Sequence, residues 1–144
     1  MSTRIKMGET NPEAYKAMIE FDKYLASTNI APLHKEMIKI RASQINGCSY
    51  CIDKHTKDAR KLGETEQRIY ALTVWRDTPF FSPEERAILS LTEEVTLIHQ
   101  HVSDATYAEA AKYFDDKTIG QLIMAIIIIN AWNRIGIATH MMPV

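Results

Sequence analysis

Apolar residues recur along this chain at spacings of three and four, so the pattern predicts helices; no pair of alternating runs joined by a hairpin turn is found. Met18, Phe21 and Leu25 set that rhythm in the first clear segment. Asn11-Pro12-Glu13 opens it with a capping side chain, a proline whose missing N–H is harmless at the first helical position, and an acid in the first turn. This helix is expected to end near Ser27. A second runs from Pro32 to about Ile45 and is closed by Asn46-Gly47, residues that tolerate the left-handed conformation of a helix end. A third extends from Cys48 to Gly63 and a fourth from Glu64 to Trp75. Ser82-Pro83-Glu84-Glu85 is a capping box, which starts a fifth helix reaching about His99. Ser103 or Asp104 caps a sixth, ending near Phe114.

The last element is a contest between two signals. Ile126 to Ile129 is β-branched, and local propensity favours a strand. The apolar pattern nevertheless extends from Ile119 to Ile135, too long for an ordinary strand, and is expected to be a helix buried nearly all round. A helix so apolar in a small domain calls for a second subunit to cover it, so a homo-oligomer is expected with this helix near the interface.

Seven helices in 144 residues describe one all-α domain over residues 1–144, large enough to bury its own core. The formal net charge is −1, with acids and bases interspersed, so no footprint for nucleic acid and no polybasic membrane anchor is present. The start, Met1-Ser2-Thr3-Arg4-Ile5-Lys6-Met7-Gly8, has no apolar stretch of secretory length, and the longest apolar run, Leu122 to Ile129, is too short to span a bilayer. No membrane partner is expected, and the expected location is the cytoplasm.

Two cysteines three residues apart cannot be a disulfide framework; in a reducing compartment they point to redox chemistry or metal binding. A thiol reacts as its thiolate, and the unpaired N–H groups of a helix's first turn favour that charge. Asn46-Gly47 places Cys48 and Cys51 in such a turn, close enough for a reversible disulfide. His55 follows Cys51 by four residues and Cys48 by seven, which sets all three on one helical face. A neutral imidazole there accepts a thiol proton. Glu36, on the preceding helix, would orient His55 or take the proton onward if the two helices form a hairpin. The rival readings are a zinc site, with Cys48, Cys51 and His55 joined by Glu36, His34 or His140, and a pair of buried structural cysteines. His34, His99, His101 and His140 otherwise read as surface or interface residues, and Trp75 and Trp132 as core or interface anchors. Asn130, Asn133 and Arg134 are read as capping the last helix, bridging subunits or lining a pocket.

The segment resembles the carboxymuconolactone decarboxylase-like superfamily, and within it the alkylhydroperoxidase D-like branch. That branch carries a Glu, eleven residues, Cys-x-x-Cys, three residues and a His; here these are Glu36, Cys48, Cys51 and His55. Ser43 to Cys48, Gly63 to Glu66, Trp75-Arg76 and Asn130 to Arg134 carry the likeness further, so that it covers Pro32 to Arg134. One departure is Ser49-Tyr50 inside the cysteine pair, where some members have a second His. The resemblance implies an all-α fold assembled as trimers or hexamers. It also implies hydroperoxide reduction through a cysteine disulfide cycle without metal or flavin cofactor. The decarboxylases of the superfamily lack the cysteine pair, which ranks decarboxylation low.

The resulting expectation is a thiol peroxidase with a hydroperoxide substrate and a dithiol reductant, in which a thiolate is oxidised to a sulfenic acid and its neighbour condenses with it. His55 and the resemblance favour Cys51 as the attacking residue; the helix dipole favours Cys48. A disulfide oxidoreductase or redox sensor, and a zinc-stabilised interaction module, are the alternatives.

Overall fold

The computed structural model describes residues 4–144; the first three residues of the N-terminal reading, Met1 to Thr3, lie outside them. The described residues form eight α-helices and two short 3-10 turns, with no strand. The helices are α1 (Met7–Thr10), α2 (Pro12–Ala26), α3 (Pro32–Asn46), α4 (Ser49–Lys61), α5 (Glu66–Ala71), α6 (Pro83–Thr96), α7 (Asp104–Ala111) and α8 (Asp116–Ala138). Proline opens α2, α3 and α6. At α6 both halves of the capping box form: Ser82 Oγ accepts from the Glu85 N–H, and the Glu85 carboxylate accepts from the Ser82 N–H. Asn11 stands at the head of α2, but its side chain makes no capping bond. The extra short helix α1 precedes it.

The fourth expected helix stops early. After α5 the chain tightens into a 3-10 segment, Leu72–Asp77, in which Val74 leaves the helical region at φ −126° and ψ 27°. Arg86 compensates the lost backbone bonds, donating to the carbonyls of Trp75, Arg76 and Thr78. The Trp75 indole is thereby turned into the core, where its Nε1–H meets Glu93 at 2.8 Å.

Helix α3 lies at the centre, buried on two faces. Ile38 and Ala42 join Ile88 and Leu91 of α6 and Leu122, Ile126 and Ile129 of α8 in one apolar cluster. Met37 and Ile40 join Leu72, Trp75, Phe81 and Leu89 in a second. Packing overrides the strand propensity of the isoleucine run, and α8 extends beyond the expected Ile119–Ile135 at both ends. As a whole helix α8 is long and apolar enough to cross a membrane, unlike its eight-residue run, yet it serves as a core element here. Its buried Gln121 accepts from the Asn29 N–H, and its buried Asn133 is also hydrogen-bonded within the protein. It is not covered all round: Ile127 and Ile137 are exposed.

Glu93 ties the second cluster together. Its carboxylate accepts from Arg41 Nε at 2.9 Å, the Trp75 indole at 2.8 Å and Arg76 at 2.6 Å. Burial would raise its pKa, but these three donors together hold it below the usual carboxylate range. Glu93→Ala leaves Arg41 and Trp75 without their acceptor in a desolvated place. It is expected to cost about 3 kcal/mol, read as a lower urea midpoint with an unchanged denaturant slope.

Candidate active site

The site begins at the turn between α3 and α4. Gly47 adopts φ 74°, a conformation suited to glycine, and the Gly47 and Cys48 N–H groups both donate to the Ser43 carbonyl, at 2.8 and 3.0 Å. Asn46 beside them donates through Nδ2 to Asn130 Oδ1 and Asn133 Oδ1 of α8, each at 2.9 Å. Asn133, fully buried, donates in turn to Ser43 Oγ. These asparagines therefore pin the turn to α8, rather than capping that helix.

Cys48 is the N-cap of α4, and its Sγ accepts from the Cys51 N–H at 3.4 Å. The two cysteines form a disulfide with Cα atoms 5.3 Å apart. Both are buried, at 1% and 4% exposure. Gly136 of α8 faces them: a Cβ there would lie 3.2 Å from Cys48 Sγ and 3.8 Å from Cys51 Sγ, so a bare glycine makes room for the pair.

One turn beyond, His55 Nδ1 lies 3.0 Å from Glu36 Oε2 across the α3–α4 hairpin. The other Glu36 oxygen accepts from Lys39 Nζ at 2.9 Å. Glu36 is buried, which raises its pKa; the bonds from His55 and Lys39 outweigh this and hold the carboxyl below its usual range. An ionised Glu36 takes the Nδ1–H of His55, which leaves Nε2 as the basic nitrogen. Asp58 stands 3.9 Å from His55 Nδ1 and is itself engaged by Lys54 at 2.9 Å.

Cys51 and His55 open onto a cavity of about 240 Å³, walled by Tyr15 and Ile19 of α2, Tyr50, Ile128, Ile129 and Trp132 of α8, and Met141. Cys48, bonded to Cys51, does not line it. Trp132 is a wall of this cavity, packed edge-on against Tyr15 with centroids 5.5 Å apart, and not only an anchor. Neither aromatic wall announces itself by spacing from the cysteines. Gly136, a lone glycine in an apolar helix, and Lys39, one turn after Glu36, do leave such a trace.

The residues proposed for zinc are dispersed differently. His34 Nε2 lies 3.8 Å from Glu85, and His140 is exposed just past the end of α8. The described side chains that meet at metal-binding distance are Glu36, His55 and Asp58, within 4.8 Å of one another, and Lys39 and Lys54 already engage the two carboxylates.

Residues 12–94, more than half of the chain, match the model of the carboxymuconolactone decarboxylase family. The uncharacterized protein YdfG of Bacillus subtilis is 48% identical over 139 residues, 96% of this chain and 95% of that protein. The crystal structure of ATU0492 from Agrobacterium tumefaciens, a protein of unknown function proposed to be the antioxidant defence protein AhpD, superposes with a TM-score of 0.95 at 37% identity, covering 99% of each chain. The fold extends to the debrominase Bmp8, solved with 2,3,4-tribromopyrrole, at a TM-score of 0.84 and 21% identity over 93% of this chain and 72% of that one.

The lowered pKa of Glu36 makes a signed forecast. A carboxyl held down in the folded state contributes stability that is complete above its unfolded value, about 4.3, and is lost as pH falls through the folded value. The stability difference between wild type and Glu36→Gln is therefore expected to be largest near neutrality and to shrink as the pH drops from about 5 to 3. Urea unfolding at several pH values measures it; a difference that stays flat to acid pH would separate Glu36 from its partners.

Proposed function

The chain belongs to the carboxymuconolactone decarboxylase family, in its AhpD-like branch, and on that premise we propose that it is a thiol-dependent peroxidase working through Cys51, Cys48, His55 and Glu36. The observation that carries the reading is a buried cysteine pair at a helix N-terminus, of which one member, Cys51, shares a cavity with a His already bonded to a carboxylate.

In the reduced protein, His55 Nε2 takes the Cys51 thiol proton, and Glu36 stabilises the resulting imidazolium through Nδ1. The thiolate attacks the terminal oxygen of the hydroperoxide. The O–O bond breaks, sulfur becomes S–OH, and the alkoxide leaves with both bonding electrons and takes the proton from His55, giving the alcohol. Cys48 then attacks the sulfenic sulfur, water departs, and the disulfide forms. An external dithiol reduces it by two exchange steps and is itself oxidised to a disulfide. Cys51 is the attacking residue because it meets the cavity, whereas Cys48 is packed under Gly136. That same burial of both sulfurs weighs against direct exchange with the disulfides of folded proteins, one form of the alternative disulfide oxidoreductase.

Hydroperoxide consumption with dithiothreitol as reductant tests the cycle. Cys51→Ser is expected to abolish turnover. His55→Ala is expected to lower it about a hundredfold. Cys48→Ser should leave a sulfenic acid on Cys51 that dimedone traps once per chain. Wild-type turnover in Cys51→Ser would overturn the assignment.

We take the apolar stripe of α8 formed by the exposed Ile127 and the half-buried Ile123 and Ala131, spaced four apart beside the exposed Ile98, as the surface on which copies of the chain meet. Light scattering at micromolar concentration is then expected to give a mass of several chains, and Ile127→Lys to lower it. A monomeric wild type would remove the assignment.

A further inference from the structure

Resting on the peroxidase reading, we propose that the preferred substrate is a neutral arylalkyl hydroperoxide, a single aromatic ring on a short branched carbon, in preference to hydrogen peroxide or a fatty-acid hydroperoxide. Three features of the cavity carry this.

The first is size. A dry cavity of about 150 Å³ accepts benzene, and drug-sized ligands need about 300 Å³ or more. At about 240 Å³ the space beside Cys51 holds one ring and the few further atoms of a hydroperoxide-bearing carbon, and is too small to enclose a fatty-acyl chain, most of which would be left in solvent.

The second is the chemistry of the walls. Tyr15 and Trp132 meet at an interplanar angle of 78°, forming a corner in which a third ring presents its face to one and its edge to the other. Tyr50, the residue immediately before Cys51, supplies a further aromatic wall, and Ile19 and Met141 complete an apolar enclosure. Neither the Tyr50 hydroxyl nor the Trp132 indole N–H has a hydrogen-bond partner among the described residues. Both therefore remain free to donate to a peroxide oxygen.

The third is charge. The two lysines at the cavity, Lys39 and Lys54, are already bonded to Glu36 and Asp58 and leave no free cation for a substrate carboxylate. The remaining charged group on the rim, Asp22, has no ion partner among the described residues and repels an anion. Hydrogen peroxide, in turn, buries no apolar surface here and gains nothing from the aromatic corner.

The reaction keeps the balance given above. Cys51 takes the terminal oxygen, the O–O bond breaks, the arylalkyl alkoxide is protonated from His55, and the dithiol supplies the two electrons. Two measurements test the substrate class. With dithiothreitol as reductant, kcat/KM is compared for cumene hydroperoxide, tert-butyl hydroperoxide, hydrogen peroxide and linoleic acid hydroperoxide. The cumene compound is expected to exceed each of the others at least tenfold, about 1.4 kcal/mol. Trp132→Leu and, separately, Tyr50→Ala are expected to shrink the cumene to hydrogen peroxide ratio about fivefold or more, since the ring-burial contribution is lost. Independently of turnover, the product alcohol 2-phenylpropan-2-ol is expected to slow iodoacetamide alkylation of Cys51 in reduced Cys48→Ser protein, whereas hexanoate does not. Equal kcat/KM for all four peroxides with no protection by the alcohol would overturn the proposal and leave the peroxidase reading intact. Protection by the alcohol without turnover of any peroxide would support the ring site and overturn the peroxidase reading. Selective protection by hexanoate would overturn the neutral-substrate assignment.

Discussion

The arrangement depends on one polar tie: the Asn46 side chain at the end of α3, held by Asn130 and Asn133 of α8. Asn133 is wholly buried, so leaving either of its ends unpaired would carry the full desolvation penalty. It accepts from Asn46 and donates to Ser43 Oγ, and Asn130 donates to Thr96 Oγ1 of α6 and to the Ile126 carbonyl. A network of this kind is favourable only when complete, which makes it selective for one register of α8 against α3. That register sets everything near the sulfurs. Residue 133 sits on the tie, residue 136 one turn further faces Cys48, and residues 128, 129 and 132 on the turns before it wall the cavity. A slide of α8 by one turn, about 5.4 Å, would break the asparagine bonds and replace Gly136 opposite the disulfide by a side chain with no room.

Two buried carboxylates, Glu36 on α3 and Glu93 on α6, show how the same physics serves different ends. Glu93 is surrounded by Arg41, Arg76 and an indole N–H, donors that do not exchange protons near neutral pH; its charge is fixed, and it acts as a joint. Glu36 is surrounded by a lysine and an imidazole. The imidazole and the lysine together keep it ionised, and the imidazole is the side chain best suited to gain and lose a proton around neutrality. Burial disfavours ionisation in both, and in both the partners win. The difference lies in whether a titrating group is among those partners.

The cysteine pair, His55 and Glu36 were legible because their relation is nearly local. Four residues along one helix, and a tight Gly-closed hairpin back to the previous one, leave little freedom in where they meet. The helix count was legible from apolar spacing and caps, and it slipped where tertiary bonds outcompeted local preference. The irregular turn at Val74 exists because Arg86 and Glu93 reach into it, and neither is near in sequence. The helical state of Ile126 to Ile129 was decided by length and burial against β-propensity. The cavity walls were not legible. Tyr15 comes from α2 and Trp132 from α8, more than a hundred residues apart, and only packing brings their rings together. Asn130 and Asn133 stand out as polar residues in an apolar helix, but the sequence marks their partner, Asn46, only as a helix terminator.

A helical frame of this kind does not choose a reaction by itself. What the frame supplies is a buried place where α3, α4 and α8 meet, with the N-terminus of α4 at the cysteine pair. Removing water from the sulfurs would disfavour a thiolate, and the fold answers that penalty with elements in fixed positions: the Cys51 N–H directed at Cys48 Sγ, and a His55–Glu36 pair built across the hairpin. Those elements belong to the α3–α4 hairpin and are rigid with it. The cavity walls belong largely to α2, to α8 and to Tyr50 between the cysteines. In the proposed mechanism, proton handling and substrate shape are thus carried largely by different parts of the chain, so the walls can change without disturbing the hairpin bonds. Tyr50 is the exception. It sits within the redox turn and also walls the cavity, so a substitution there alters substrate shape and the turn together.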